Sequence, residues 1–160
     1  MQKKVTLYTD GACSGNPGIG GYAGILMYGE HQREYSGAEE QTTNNRMEIL
    51  AVIEGLKRLK YPCEVEIYSD SAYTVNAFNE GWIYGWMKNG WKKADGKAVL
   101  NVDLWEQLYS LTKTHKVTFF KVAGHADNEW NNRCDELARG AVSELRKTLP
   151  VLDAENLVEE

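Results

Sequence analysis

The feature that most constrains this chain is a change of hydrophobic period near residue 42. Before it the chain is β-prone and punctuated by turns. Val5-Thr6-Leu7-Tyr8-Thr9 runs into Asp10-Gly11, a glycine-rich loop spans 11–18, a second strand spans 21–28, and Gly29-Glu30 reads as a hairpin turn before a weak third strand over 32–37. After it the period becomes helical. Thr42-Thr43-Asn44-Asn45 supplies N-cap residues, and a long apolar-rich helix is predicted from about 46 to 59, stopped by Pro62. A strand over 65–69 ends at Asp70, and short helices over 71–79 and 82–88 are split by Gly81. A helix over 101–112, a strand over 116–122 and a long helix over 128–147 complete the pattern. The order βββαβαααβα fits an α/β fold in which one mixed sheet, begun as an antiparallel meander, carries helices on its faces.

At 160 residues the chain has the length of one domain with an adequate core. The expected division is one domain over 1–147 and an acidic extension over 148–160, read as frayed or loosely docked. Hydrophobic residues make up 42% and charged residues 26%, which excludes a disordered or fibrous chain. No run approaches the roughly 18 apolar residues of a membrane span, and the N-terminus lacks a signal-peptide core, so a cytoplasmic location is expected. Cys13, Cys63 and Cys134 are widely spaced, with no CxxC or HxxxH pair; this argues against zinc and for reduced thiols. The net charge of −5 argues, at first sight, against a nucleic-acid partner.

Four carboxylates carry the chemical signal. Asp10 and Asp70 each end a predicted strand, where open α/β sheets bind ligands, although aspartate also simply starts turns. Glu48 shares a helix stripe with Val52, Gly55 and Leu59, a costly position unless the acid is paired or metal-bound. The competing reading is an acid at the stripe's edge, favoured by the helix dipole. Asp135 shares a stripe with Ala138 and Val142, against the alternative of a solvated early-helix acid. Converging on one spot, four hard oxygen donors suit Mg²⁺ or Mn²⁺, and two such ions roughly 4 Å apart form the usual clamp for displacement at a phosphodiester.

Four stretches together resemble type 1 ribonuclease H of bacteria: YTDGACSGNPG from Tyr8 to Gly18, TTNNRME from Thr42 to Glu48, YSDS from Tyr68 to Ser71, and RCDELA from Arg133 to Ala138. The resemblance runs in order from residue 5 to about 145. It implies a ribonuclease H-like, five-stranded mixed sheet flanked by helices. It also implies a monomeric endoribonuclease that cuts the RNA strand of RNA/DNA hybrids, leaving 5′-phosphate and 3′-hydroxyl ends, with two Mg²⁺ ions (Mn²⁺ as a substitute) and no obligate protein partner. Asp10, Glu48, Asp70 and Asp135 match the family's metal-binding carboxylates, and His125 matches its loop histidine. A histidine there can pass a proton near neutral pH. His31 and His115 lack any converging polar motif and are expected to be surface loop residues.

The resemblance also implies two binding surfaces. Gly11, Cys13, Asn16, Asn44 and Asn45 match contacts to the RNA strand, where the 2′-hydroxyl must be sensed. Turn formation by Asn16 and capping by Asn44 are compatible local roles. Thr43 and Asn101 match a pocket for a DNA phosphate, beside which Gln41 stands where some relatives carry arginine. The segment 81–98 matches the family's basic protrusion. From 82 to 97 it carries Lys88, Lys92, Lys93 and Lys97 against Asp95, a net charge of +3, with Trp82, Trp86 and Trp91 interleaved. Trp82 matches the position that packs on deoxyribose. Trp86 and Trp91 read equally well as a small satellite core.

The charge then reads differently. The last ten residues supply −4, leaving −1 over 1–147, and two bound divalent ions would bring that part to +3. A non-catalytic hybrid-binding module would have lost at least one acid, and an unrelated phosphotransferase would not carry both the TTNNRME helix start and the tryptophan–lysine segment.

Overall fold

The computed structural model describes residues 3–123 and 128–149. The elements follow the expected order: β1 (Lys3–Gly15), β2 (Gly18–Tyr28), β3 (His31–Thr42), α1 (Asn44–Lys57), β4 (Cys63–Ser69), α2 (Ala72–Asn79), α3 (Trp82–Lys88), α4 (Val102–Thr114), β5 (Lys116–Lys121) and α5 (Glu129–Thr148). The five strands form one mixed sheet in the order β3-β2-β1-β4-β5. β1 to β3 pair antiparallel, and β4 pairs parallel with both β1 and β5. The chain is thus an α/β protein with a five-stranded mixed sheet flanked by helices. His125 and the extension beyond Leu149 lie outside the described residues.

The meander is longer than its sequence suggests. The glycine-rich segment is not a loop: β1 continues to Gly15 and β2 begins at Gly18, leaving only Asn16 and Pro17, joined by a cis peptide, at the turn. Small residues with little strand preference are held extended by the antiparallel ladder, paired from Asp10 with Ala23 to Gly15 with Gly18. Strand preference depends on such pairing more than on residue type. Pairing with β2 likewise stretches β3 to Thr42. Asp10 is therefore mid-strand. What stops just before it, at Tyr8 opposite Tyr68, is the parallel pairing with β4.

Two adjacent glycines show how both faces are covered. A Cβ on Gly20 would lie 2.8 Å from Met47 Cγ of α1, and one on Gly21 would lie 2.2 Å from the Ala138 carbonyl of α5. Successive strand residues face opposite sides, so α1 and α5 pack on opposite faces at glycine-thin points. The main core lies on the α1 face, where Leu7 and Ile67 of the sheet meet Ile49, Val52, Ile53 and Leu56 of α1 and Trp105 and Leu108 of α4. Each such side chain contributes roughly 1.5–3 kcal/mol by leaving water. On the other face α5 buries Asn131, Cys134, Ala138 and Val142, a single stripe at helical spacing.

His115 departs from expectation. It is 5% exposed, and its Nδ1 accepts the Cys63 backbone N–H at 3.1 Å. No loop separates α4 from β5, so the residue between them turns inward instead of outward. Burial lowers its pKa, which keeps the imidazole in the neutral form able to accept that bond. His31, at the start of β3, is exposed as expected. Among the described residues, no helix is long and apolar enough to cross a membrane.

Candidate metal centre and nucleic-acid interface

Strand register sets the first pair of acids. Every parallel pair between β1 and β4 is offset by sixty residues, from Lys3 with Cys63 to Tyr8 with Tyr68, and the last pair stacks its rings 5.0 Å apart. Two residues further along each chain stand Asp10 and Asp70. Past the pairing, β4 gives way to α2, where Ser71 caps the helix by accepting the Thr74 N–H at 3.2 Å.

Glu48 arrives from the other layer. Thr43 caps α1 by accepting the Arg46 N–H at 3.2 Å, which fixes where the first turn begins. Gly11 fixes how closely it sits: a Cβ there would lie 2.6 Å from the Glu48 nitrogen. Glu48 is consequently 4% exposed, as is Asp10, and it is the fifth residue of α1, beyond its first turn. An edge-of-stripe acid held by the helix dipole is excluded. Asp10, Glu48 and Asp70 each offer an oxygen within 4.8 Å of the other two.

Asp135, on α5, lies outside that group, and its carboxylate accepts from Arg139 Nε at 2.9 Å, one helix turn on. Its charge is still near enough to act on Asp10. Burial, then the charges of Asp70 and Asp135, push the Asp10 carboxyl up to about 8. Burial, then the charges of Asp10 and Asp70, hold Glu48 well above the usual carboxylate range. At neutral pH these acids cannot all ionise unless a cation joins them.

The donor set fits a divalent cation. All the ligand atoms are carboxylate oxygens, and Glu48 Oε2 is buried without any hydrogen-bond partner. An orphaned buried acceptor costs free energy unless something positive meets it.

The RNase H family model matches residues 2–143. The chain belongs to the ribonuclease H family. A ribonuclease H of Chlorobaculum parvum is 60% identical over 144 residues, covering 90% of this chain and 99% of that one. Among solved structures, LC9-RNase H1, described as a type 1 RNase H with the type 2 active-site motif, superposes with a TM-score of 0.80 at 29% identity, covering 90% of this chain and 74% of that one. LC11-RNase H1, solved in complex with an RNA/DNA hybrid, shares the fold at 24% identity and a TM-score of 0.68, covering 89% of this chain and 99% of that one.

Around the acids of this ribonuclease H family member, the remaining sequence-predicted residues fall into two groups. Asn16 Oδ1 accepts the Asn44 N–H at 3.2 Å, which ties the hairpin tip to the start of α1 and leaves Asn44 and Asn45 exposed. Cys13 is half-buried, with its thiol 3.4 Å from the Thr42 carbonyl. Gly11 is buried, and its evident task is to admit α1. Thr43 and Asn101 meet through Arg46, which donates to Asn101 Oδ1 at 3.3 Å and to Asp103 at 2.7 Å. Arg46 was not singled out in the sequence; its guanidinium stands in that pocket already paired with the Asp103 carboxylate. Arg139 was missed as well, although its spacing four residues after Asp135 is a readable ion-pair signal.

The protrusion divides internally. Trp86 and Trp91 are half-buried against the main core, and Trp91 closes a small hairpin by accepting the Val99 N–H at 3.0 Å. Trp82 is 41% exposed, and Lys88, Lys92, Lys93 and Lys97 are all exposed.

Proposed function

We propose that this chain is an endoribonuclease that hydrolyses the RNA strand of RNA/DNA hybrids, leaving 5′-phosphate and 3′-hydroxyl ends. The observation that carries the reading is the trio Asp10, Glu48 and Asp70, gathered within 4.8 Å with Glu48 Oε2 unpartnered, in a chain of the ribonuclease H family. The names of its relatives and the hybrid bound by LC11-RNase H1 support the substrate.

In this reading Asp10, Glu48, Asp70 and Asp135 hold two divalent ions, Mg²⁺ or alternatively Mn²⁺. Such ions would neutralise charge on the scissile phosphodiester and lower the pKa of the attacking water. The protein's own part is to hold the carboxylates together in that spot, where bound cations would keep them ionised, and to hold the strand over them. Glu48 is locked by its buried helix, while Arg139 orients Asp135 from the solvent side. Cys13, Asn16, Asn44 and Asn45, with the backbone at Gly11, line the approach on which the RNA sugars would lie. Thr43, Asn101 and Arg46 would hold a DNA phosphate, and Trp82, Lys88, Lys92 and Lys93 the DNA strand further along. His125, carried by the resemblance, would pass a proton as product departs. The protein would act as a monomer in the cytoplasm, with residues 1–147 as the catalytic domain.

The test is digestion of end-labelled RNA/DNA, RNA/RNA and DNA/DNA duplexes with Mg²⁺ and with chelator. Cleavage confined to the RNA of the hybrid, and abolished by chelator, is expected. Binding of hybrid without cleavage under any divalent ion would overturn the catalytic reading in favour of a binding module.

A further inference from the structure

Beside the carboxylates, and sharing only Cys13 with the residues assigned to either strand above, a cavity of about 380 Å³ opens between the β1–β2 hairpin and the later turns of α5. Cys13, Ser14, Arg139, Ser143 and Arg146 line it, and no acidic side chain does. Its cations differ in how far they are committed. Arg139 holds Asp135, just as Arg46, Arg58 and Arg133 hold Asp103, Glu54 and Glu34. Arg146 pairs with no carboxylate among the described residues. It reaches from α5 to the hairpin and donates from Nη2 to Ser14 Oγ at 2.5 Å. A guanidinium offers five N–H donors in a planar fork that matches phosphate oxygens, and this single bond leaves most of them for another acceptor. Ser143 is exposed on the same helix, three residues earlier, so its hydroxyl shares that face.

The cavity continues the site along the same two elements. β1 carries Asp10 and then Ser14, and α5 carries Asp135 and then Arg146. Eleven helical steps lead from Asp135 to Arg146, about 16 Å of axis. At about 3.4 Å of rise per nucleotide, that is roughly five steps along a strand lying over the acids. We propose that Ser14, Ser143 and Arg146 seat one backbone phosphate of the RNA strand at that distance from the cut. The proposal rests on the hybrid-cleaving reading above. It adds an RNA-strand anchor built from α5 and the β1–β2 hairpin, elements other than those that carry the basic protrusion.

The experiment uses the full chain, its Arg146→Ala, Arg146→Lys and Ser14→Ala variants, and hybrids carrying one neutral 2′-deoxy methylphosphonate linkage. The linkage is walked along the RNA strand and, separately, along the DNA strand. For the parent, one RNA-strand position roughly five steps from the cut should raise KM about fivefold, with kcat little changed. Arg146→Ala should raise KM by a similar factor on unmodified hybrid, lower the salt slope by nearly one unit, and become indifferent to that linkage. Arg146→Lys should restore part of the binding. Thermal melting of each variant separates a lost strap between α5 and the hairpin from a lost contact. An unchanged KM with a lowered melting temperature would overturn the proposal, as would an unaltered linkage profile in Arg146→Ala or sensitivity confined to the DNA strand. If the parent cuts no hybrid at all, the failure belongs to the proposed function and not to this anchor.

Discussion

The acidic centre and the basic protrusion are opposites in construction. Asp10 and Glu48 are almost wholly buried, and each is positioned by backbone: a parallel register, a helix cap and a glycine too small to hold the helix away. The lysines of the protrusion are exposed on a short helix and a small hairpin, tied to the core by Ile83, Met87 and the tryptophans underneath. Burial raises the cost of charge in one region and solvent screens it in the other. Chemistry that needs carboxylates forced together belongs in the first. A grip that must track a phosphate backbone without fixed geometry belongs in the second.

Several substitutions would break or sharpen that contrast. The largest effect is expected from Asp10→Asn, which should lower kcat by about a thousandfold or more while hybrid binding, measured by fluorescence anisotropy, survives. A variant that cut at the parent rate would end the metal-centre reading. Gly11→Ala comes next. Its Cβ must displace the backbone at Glu48, so kcat should fall by roughly tenfold to a hundredfold, far more than KM rises, with stability lower by about 1–3 kcal/mol. Equal losses in kcat and binding would show that the approach of α1 does not position the acid.

The buried acids should also leave a signature in the absence of metal. With the Asp10 carboxyl raised to about 8, the folded chain binds a proton that the unfolded chain releases near pH 4. Folding stability in chelator should therefore fall as pH rises from about 5 to 8. Mg²⁺ should restore it at pH 8. Asp10→Asn should flatten the trend and raise the pH 8 melting temperature by about 4–8 °C, on the order of 2 kcal/mol for a chain of this length. Differential scanning fluorimetry across that range decides it; a profile that rose with pH would mean the acids are not in conflict. The smallest effect belongs to the exposed region. Lys92→Ala with Lys93→Ala should raise KM severalfold, leave kcat within about twofold, and lower the salt slope by one to two units. An unchanged slope would make these lysines a solvated face and nothing more.

How much was legible beforehand follows the same division. Helix and strand order could be read because hydrophobic period is local. Glu48 stood out because a carboxylate on an apolar stripe is anomalous wherever the helix packs. The length of β1 was not legible. Residues 10–15 lack strand preference, and only pairing with β2 holds them extended. Trp86 and Trp91 could be read as contacts or as core, and the core claimed them because hydrophobic neighbours from α2 and α4 stand beneath.

By itself, then, the sequence determined the succession of elements, the four acids with their family motifs, and a lysine–tryptophan segment set apart by charge. Tertiary structure alone decided that β1 runs past Asp10, that a sixty-residue register brings Asp70 beside it, and that His115 turns inward to the Cys63 backbone. It also chose the partners of two arginines, Asp103 for Arg46 and Ser14 for Arg146. The physical reason is range. Period, capping and composition act within a few residues, whereas register, close approach and ion pairing join residues tens of positions apart and exist only once the sheet has closed on both its helical layers.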